Sequence, residues 1–260
     1  MPSAEGALPD LVVIGAMKCG TTALHAALDE HPQIVMSRPK ELNFFFGPAR
    51  GDARTPWTAG NRWRGVDWYT GHFPADARLG GESSPGYTSP DHPGVAGRMA
   101  ALLPAARLVY LVRDPLVRAL SQYDHHRAEG SERRDLADAL CDPASQYLAR
   151  GRYHERLLPF LAHYPRERIL VVAQEDLAAA RATTLRRVCA FVGVDPALWR
   201  DAPSSEAPSR SRAVAPPRAA PDERLAEVDP RLRARLADAL RDDARRLRDL
   251  SGQALASWSI

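Results

Sequence analysis

The sequence predicts a single α/β domain built on a parallel β-sheet flanked by helices. Three observations predict it. Short apolar, β-branched runs alternate with stretches of helical periodicity, the pattern of strands covered on both faces by crossover helices. The first of these runs opens into a Gly- and Thr-rich turn followed by a helical stretch, a strand–loop–helix unit. At 260 residues and 45% hydrophobic content, the chain is long enough to bury a substantial core in one unit, 1–260.

The elements follow in order. After a tail at 1–9, Leu11-Val-Val-Ile14 reads as a buried strand, and Thr21 and Thr22 open a helix over 21–30. Residues 47–64, rich in Gly, Pro, Arg and Trp, read as a long functional loop. A short strand is expected near 78–82 and another at 107–112. Asp114-Pro115 supplies an N-cap and a first-turn proline for a helix over 115–129. Helices are expected at 145–162 and 182–192, with a strand at 168–173 between them. Residues 201–221 carry many Pro, Ser and Ala and read as a mobile segment. In the C-terminal helical segment, 229–260, leucines 232, 236, 240 and 247 fall on one stripe after Asp229-Pro230.

Composition excludes several classes. A net charge of +3 implies no general nucleic-acid or membrane surface. No run approaches the ~20 apolar residues of a membrane span, and Met1 to Ala7 lacks the basic start and apolar stretch of a signal peptide. The three scattered cysteines, Cys19, Cys141 and Cys189, suggest reduced thiols and a cytoplasmic protein. No metal-ligand spacing is present; the adjacent His125 and His126 read as surface or cleft residues. The Ala- and Arg-rich composition suggests a GC-rich bacterial genome.

Of the 35 basic residues, only Lys18 and Lys40 are lysines. Lys is a compact point charge, whereas Arg is a planar fork. A chain that uses Arg almost everywhere but places Lys18 in a Gly/Thr turn needs a point charge there. Gly15 and Gly20 allow close backbone approach, and free amides at a helix start favour an oxyanion such as phosphate. Gly15 and Gly20 have the spacing of the Gly-x4-Gly-Lys-Ser/Thr loop of nucleotide triphosphate enzymes. Thr21 follows Gly20, however, so the expected Lys is absent and the loop implies another phosphorylated donor.

These residues resemble the sulfotransferases that use 3′-phosphoadenosine 5′-phosphosulfate (PAPS). Gly15-Ala-Met-Lys18-Cys-Gly-Thr-Thr22 resembles their 5′-phosphosulfate loop, and Arg113-Asp-Pro with Ser121 eight residues on resembles their 3′-phosphate motif. Lys40-Glu-Leu-Asn-Phe-Phe45 and Gly81-Glu-Ser-Ser-Pro-Gly-Tyr87 resemble segments of the heparan-sulfate-type and bacterial branches. The resemblance runs from about Leu11 to Trp199.

It implies a P-loop-like sulfotransferase fold and transfer of a sulfuryl group from PAPS, leaving 3′,5′-phosphoadenosine, without a metal. The acceptor is a hydroxyl, or an amine, of a sugar, glycolipid or small secondary metabolite. By the same resemblance, Lys18 serves the leaving phosphate, and the backbone of Lys18, Cys19, Gly20, Thr21 and Thr22 holds the 5′-phosphate. Arg113 and Ser121 hold the 3′-phosphate, Arg210, Ser211 and Arg212 touch the donor with Arg218 in reserve, and Glu41 is the general base. His72, His125 and His126 are alternative bases. Cys19 itself reads as a small space-filler.

Ser83 stands where some relatives have Lys, and Asn43 where some have His. On the acceptor side the candidates are Trp57, Arg62, Trp63 and Ser83, with Arg54 and Arg64 in the same loop. Gly65-Val-Asp-Trp68-Tyr69 echoes a family stretch and gives Trp68 a core role. A homodimer is left open. The two alternatives are a Mg-ATP kinase, with Asp114 at the end of a strand assisting the metal, and a noncatalytic nucleotide-binding protein.

Overall fold

Among the described residues, five parallel strands, in the order β2-β3-β1-β4-β5, form one sheet: β1 (Leu11–Gly15), β2 (Ile34–Met36), β3 (Leu79–Ser83), β4 (Arg107–Val112) and β5 (Ile169–Ala173). The structure is a computed structural model that describes residues 6–47, 59–76, 78–199 and 221–260, without the side chains of 221–223. The helices are α1 (Thr21–Asp29), α2 (Val66–Thr70), α3 (Val95–Leu102), α4 (Pro115–Ala128), α5 (Leu136–Cys141), α6 (Gln146–Ala149), α7 (Tyr153–Leu161), α8 (Gln174–Ala179), α9 (Arg181–Val192), α10 (Pro221–Ala226) and α11 (Pro230–Ser251).

The central strands carry the core. Leu11 to Ile14 and Leu108 to Val112 are fully buried, as strands covered on both faces must be. The register pairs Leu11 with both Gly81 and Arg107. The chain leaves β1 toward β2 on one side and leaves β4 toward β5 on the other. Adjacent strands whose connections diverge open a crevice beyond their C-terminal ends, where ligands of open α/β sheets bind.

Local chemistry sets the ends of the helices. Asp114 caps α4, accepting from the amides of Leu116 at 2.8 Å and Val117 at 3.1 Å, with Pro115 in the first turn. Asp229 does the same for α11, at 3.0 Å from both Arg231 and Leu232 amides. Leu236, Leu240 and Leu247 are buried along the expected stripe and Leu232 is half-buried. That helix ends at Ser251, where Gly252 takes the left-handed C-cap at φ 68. The last residues then fold back, Trp258 packing 5.7 Å from Tyr153 and the Ser259 amide donating to Asp114 Oδ2 at 2.5 Å.

Two expectations change. The helix expected at 145–162 is broken into α6 and α7, because the chain turns at Arg150-Gly151 before restarting. The strand β2 and the helices α2, α3, α5, α8 and α10 were not foreseen. No helix among the described residues is long and apolar enough to cross a membrane. The segments 48–58 and 200–220, which hold most of the expected acceptor-side loop and nearly all of the expected mobile segment, lie outside the described residues.

Candidate active site

The crevice beyond β1 is a cleft of about 560 Å³. Lys18, Gly20, Thr21 and Thr22 line one part of it, and Lys40, Glu41, Asn43 and Phe46 another. Both lysines of the chain therefore meet in one place, although nothing in their spacing brings them together.

The loop after β1 is held from below. Its Ala16 amide donates to Leu111 O of β4 at 2.6 Å, and the Cys19 amide to Ala16 O at 3.3 Å. Gly20 is the N-cap of α1, with φ 87 and no side chain to cap the helix. An uncapped helix leaves its first amides for an outside acceptor, and the helix dipole favours an anion there. Gly15 is needed for another reason: a Cβ on it would stand 2.3 Å from Thr88 Oγ1.

Cys19 points away from the cleft. It is fully buried, its Sγ 3.5 Å from Tyr153 Oη, and burial pushes its thiol up to about 11. Its side chain fills space, so only its backbone remains for donor contact. The Tyr153 hydroxyl also donates to Arg113 O at 2.8 Å, so one buried tyrosine ties the loop after β1 to the end of β4.

Lys18 is partly desolvated, and burial lowers its ammonium pKa; Glu129 opposes that shift and Arg113 adds to it. Arg113 is thus an electrostatic neighbour of Lys18. It does not pair with Asp114, whose oxygens are taken by the amides of Leu116, Val117 and Ser259. The same engagement tells against the kinase alternative, which needs Asp114 free to assist a metal. Ser121 lies about two turns into α4, half-buried. Among the described residues, neither Arg113 nor Ser121 makes a side-chain hydrogen bond.

Glu41 faces the cleft half-exposed, not buried beside Phe44 and Phe45, which turn into the core. Lys40 Nζ holds its Oε1 at 2.5 Å, while Arg38 pairs instead with Asp29 at 2.6 Å. Among the described residues, four that are not glycine have a left-handed backbone: Lys18 (φ 66), Glu41 (φ 65), Asn43 (φ 49) and Leu255 (φ 47). The first three all line the cleft. Each such residue costs about 1–3 kcal/mol and persists only where its surroundings enforce it, most often at functional sites.

Other sequence-based candidates fall elsewhere. Ser83 is fully buried, with its hydroxyl 3.0 Å from His25 Nδ1, and does not line the cleft; burial, then Lys40, lowers His25 to about 4. This corrects its place on the acceptor side. Arg62 and Trp63 are exposed on the turn at 62–64 and do not line the cleft either; Arg62 lies 5.9 Å over Phe44. Trp68 packs on the core, stacked 6.4 Å from Phe44, as expected. Arg54, Trp57, Arg210, Ser211, Arg212 and Arg218 lie outside the described residues. His125 and His126 line the cleft; His72 does not, its Nδ1 being held 3.1 Å from Arg38 O.

Sequence reasoning missed His92, Glu129, Gln146 and Arg150, which also line the cleft. His92 stacks on Phe46 at 3.7 Å, and Arg150 pairs with Asp91 at 2.6 Å. They come from separate loops and helices, and no local pattern marks them. All three cysteines are free. Among the described residues no three His, Cys, Asp or Glu side chains cluster as metal ligands.

Comparison with known proteins adds the following. A model described as the sulfotransferase family matches residues 59–201, a span that holds Arg113 and Ser121 but not the Lys18 loop. The bifunctional heparan sulfate N-deacetylase/N-sulfotransferase 2 of Bos taurus is 30% identical over 213 residues, covering 74% of this chain and 22% of that protein. The corresponding Drosophila melanogaster protein is 31% identical over 223 residues, covering 74% and 20%. The chain thus spans about a fifth of the length of these curated relatives. A crystal structure of a sulfotransferase from Alicyclobacillus acidocaldarius matches with TM-score 0.74 and 27% identity, over 98% of this chain and 100% of that one. The sulfotransferase domain of the Synechococcus PCC 7002 olefin synthase shares the fold at TM-score 0.52 and 20% identity, over 75% and 76% of the two chains.

Proposed function

The chain belongs to the sulfotransferase family, and from that premise we propose that it transfers the sulfuryl group of PAPS to a hydroxyl of a sugar, glycolipid or small metabolite, with an amine as the second acceptor class. One observation carries this reading. Lys18 and Glu41, on separate loops, are both held in left-handed backbone conformations and both line the cleft that contains the uncapped start of α1.

PAPS supplies an activated sulfuryl group on a phosphate that can leave. The chain's own residues do the rest. The amides at the start of α1 and the hydroxyls of Thr21 and Thr22 bind the 5′-phosphate, while Arg113 and Ser121 take the 3′-phosphate. As the acceptor oxygen bonds to sulfur, the bond from sulfur to the bridging phosphate oxygen breaks, and its electron pair stays on that oxygen. Lys18 neutralises the charge that collects there. Glu41 accepts the acceptor's proton, with Lys40 holding Oε1 so that the other oxygen is left for the proton. Positioning and electrostatics supply most of the rate.

The donor assignment is tested by calorimetric titration of 3′,5′-phosphoadenosine in EDTA. Binding without metal is expected. Arg113→Ala should weaken it by roughly 10- to 100-fold, the loss of one charge-assisted hydrogen-bonding group. Absence of binding in EDTA, together with tight Mg-ATP binding, would overturn PAPS as the donor.

A further inference from the structure

The loop that carries Glu41 is tied to a second carboxylate that, among the described residues, pairs with no cation. Glu82 of β3 is fully buried and lies among hydroxyls: Tyr69 Oη donates to Oε1 at 2.5 Å, Ser84 Oγ to Oε2 at 2.9 Å, and Tyr87 Oη to both oxygens at 3.1 and 3.2 Å. Burial pushes its carboxyl up to about 7, and the three hydroxyls oppose that shift.

Two of the hydroxyls also accept hydrogen bonds. Ser84 Oγ takes the amide of Asn43 at 3.1 Å, and Tyr87 Oη takes the amide of Phe44 at 3.0 Å. Two residues before Asn43, the Glu41 amide donates to Ser83 O at 3.0 Å. The backbone from Glu41 to Phe44, with two residues in the left-handed region, is therefore pinned at three amides to the end of β3 and the turn that follows it. Phe44 and Phe45 close over the anchor, stacked 4.4 Å and edge-on 5.4 Å from Tyr69.

An isolated buried carboxylate is costly, and an apolar side chain would fill the same volume at less cost. What the carboxylate adds is acceptor capacity. It accepts hydrogen bonds from Ser84 and Tyr87 and so turns the lone pairs of both hydroxyls toward the Asn43 and Phe44 amides.

We propose that Glu82 is a positioning residue for catalysis, holding Glu41 in its cleft-facing conformation through the Ser84 and Tyr87 hydroxyls. The proposal rests on Glu41 as the base. It places no demand on the donor site, whose residues follow β1 and β4, because Glu82's hydrogen bonds go to Tyr69, Ser84 and Tyr87.

The test uses the full chain and reads sulfate released from PAPS with water as the acceptor, so that no acceptor need be known. Glu82→Gln offers one acceptor oxygen where the carboxylate has two. It should slow release by roughly 10- to 100-fold, the effect of a small misplacement of a catalytic group. The affinity for 3′,5′-phosphoadenosine should be unchanged. Because Glu82 acts through Glu41, the Glu41→Gln/Glu82→Gln double variant should be no slower than Glu41→Gln alone.

A wild-type rate in Glu82→Gln beside a slow Glu41→Gln would overturn the positioning role and leave the base in place. Additive losses in the double variant would also overturn it, because Glu82 would then act independently of Glu41. A wild-type rate in Glu41→Gln would instead remove the base, and this proposal with it. Should Glu82→Gln fail to fold, Ser84→Ala/Tyr87→Phe cuts the same relay while keeping the carboxylate, and a wild-type rate there overturns the proposal equally.

Discussion

Glu41→Gln lowers turnover by roughly 10²- to 10⁴-fold and leaves 3′,5′-phosphoadenosine binding intact, if the carboxylate takes the acceptor's proton. Glutamine preserves the shape and can still accept from Lys40, so the 2.5 Å contact that steadies the side chain has a counterpart in the variant. Only the capacity to take a proton is lost. The loss should depend on the acceptor. Water and aliphatic alcohols must shed a proton as the new bond forms, whereas a phenol already ionised at the assay pH has none to give. Steady-state rates with water and with such a phenol check both halves. An equal, small loss with both would move the base to His125 or His126, which line the same cleft.

Lys18→Ala is the second large effect, a fall in turnover of roughly 10²- to 10³-fold, or about 2.7–4 kcal/mol of transition-state stabilisation. The ammonium is partly desolvated and lines the cleft with the start of α1, where the proposed mechanism puts the leaving phosphate. A charge in such a place is worth most when the opposing charge is greatest, in the transition state. Donor affinity should therefore fall much less than the rate. Arg113→Ala should show the reverse balance, because the 3′-phosphate it is proposed to hold is remote from sulfur. Lys18→Arg should not restore the rate: a planar fork at φ 66 presents its donors differently from a compact ammonium. Single-turnover rates beside calorimetric affinities separate the two residues; a loss confined to binding in Lys18→Ala would make it a donor contact only.

Much of the architecture was legible because it is written in local chemistry. The buried runs of β1 and β4, the Asp114-Pro115 cap and the leucine stripe of α11 each announce their structure within a few residues. What was missed is either short or non-local. β2 has only Ile34, Val35 and Met36, too short to show a period, whereas β3 was expected near 78–82 although it is mostly Gly80, Gly81, Glu82 and Ser83. The cleft divides the same way. The loop from Gly15 to Thr22 carries a motif, and Glu41 was found by resemblance. Arg150 and His92 belong to the site only because α6 and the loop after β3 end beside it. Ser83 was misplaced because sequence position sets which face of a strand a residue occupies only once the register is known, and here that face meets His25.

The meeting of both lysines in one cleft gives the protein a built-in handle for chemical labelling. Reagents that modify primary amines ignore guanidinium groups, so side-chain labelling reports only on Lys18 and Lys40. Burial lowers the pKa of Lys18, which raises the share of free amine near neutrality and with it the nucleophilicity of that site. Lys40, by contrast, is committed to Glu41. Mass-spectrometric footprinting should therefore show Lys18 labelled and then protected when 3′,5′-phosphoadenosine is added. An acceptor that engages Glu41 should free Lys40 and increase its labelling. A lysine-poor, arginine-rich sequence thus lets two adducts stand for the occupancy of two halves of one site, without any engineered probe.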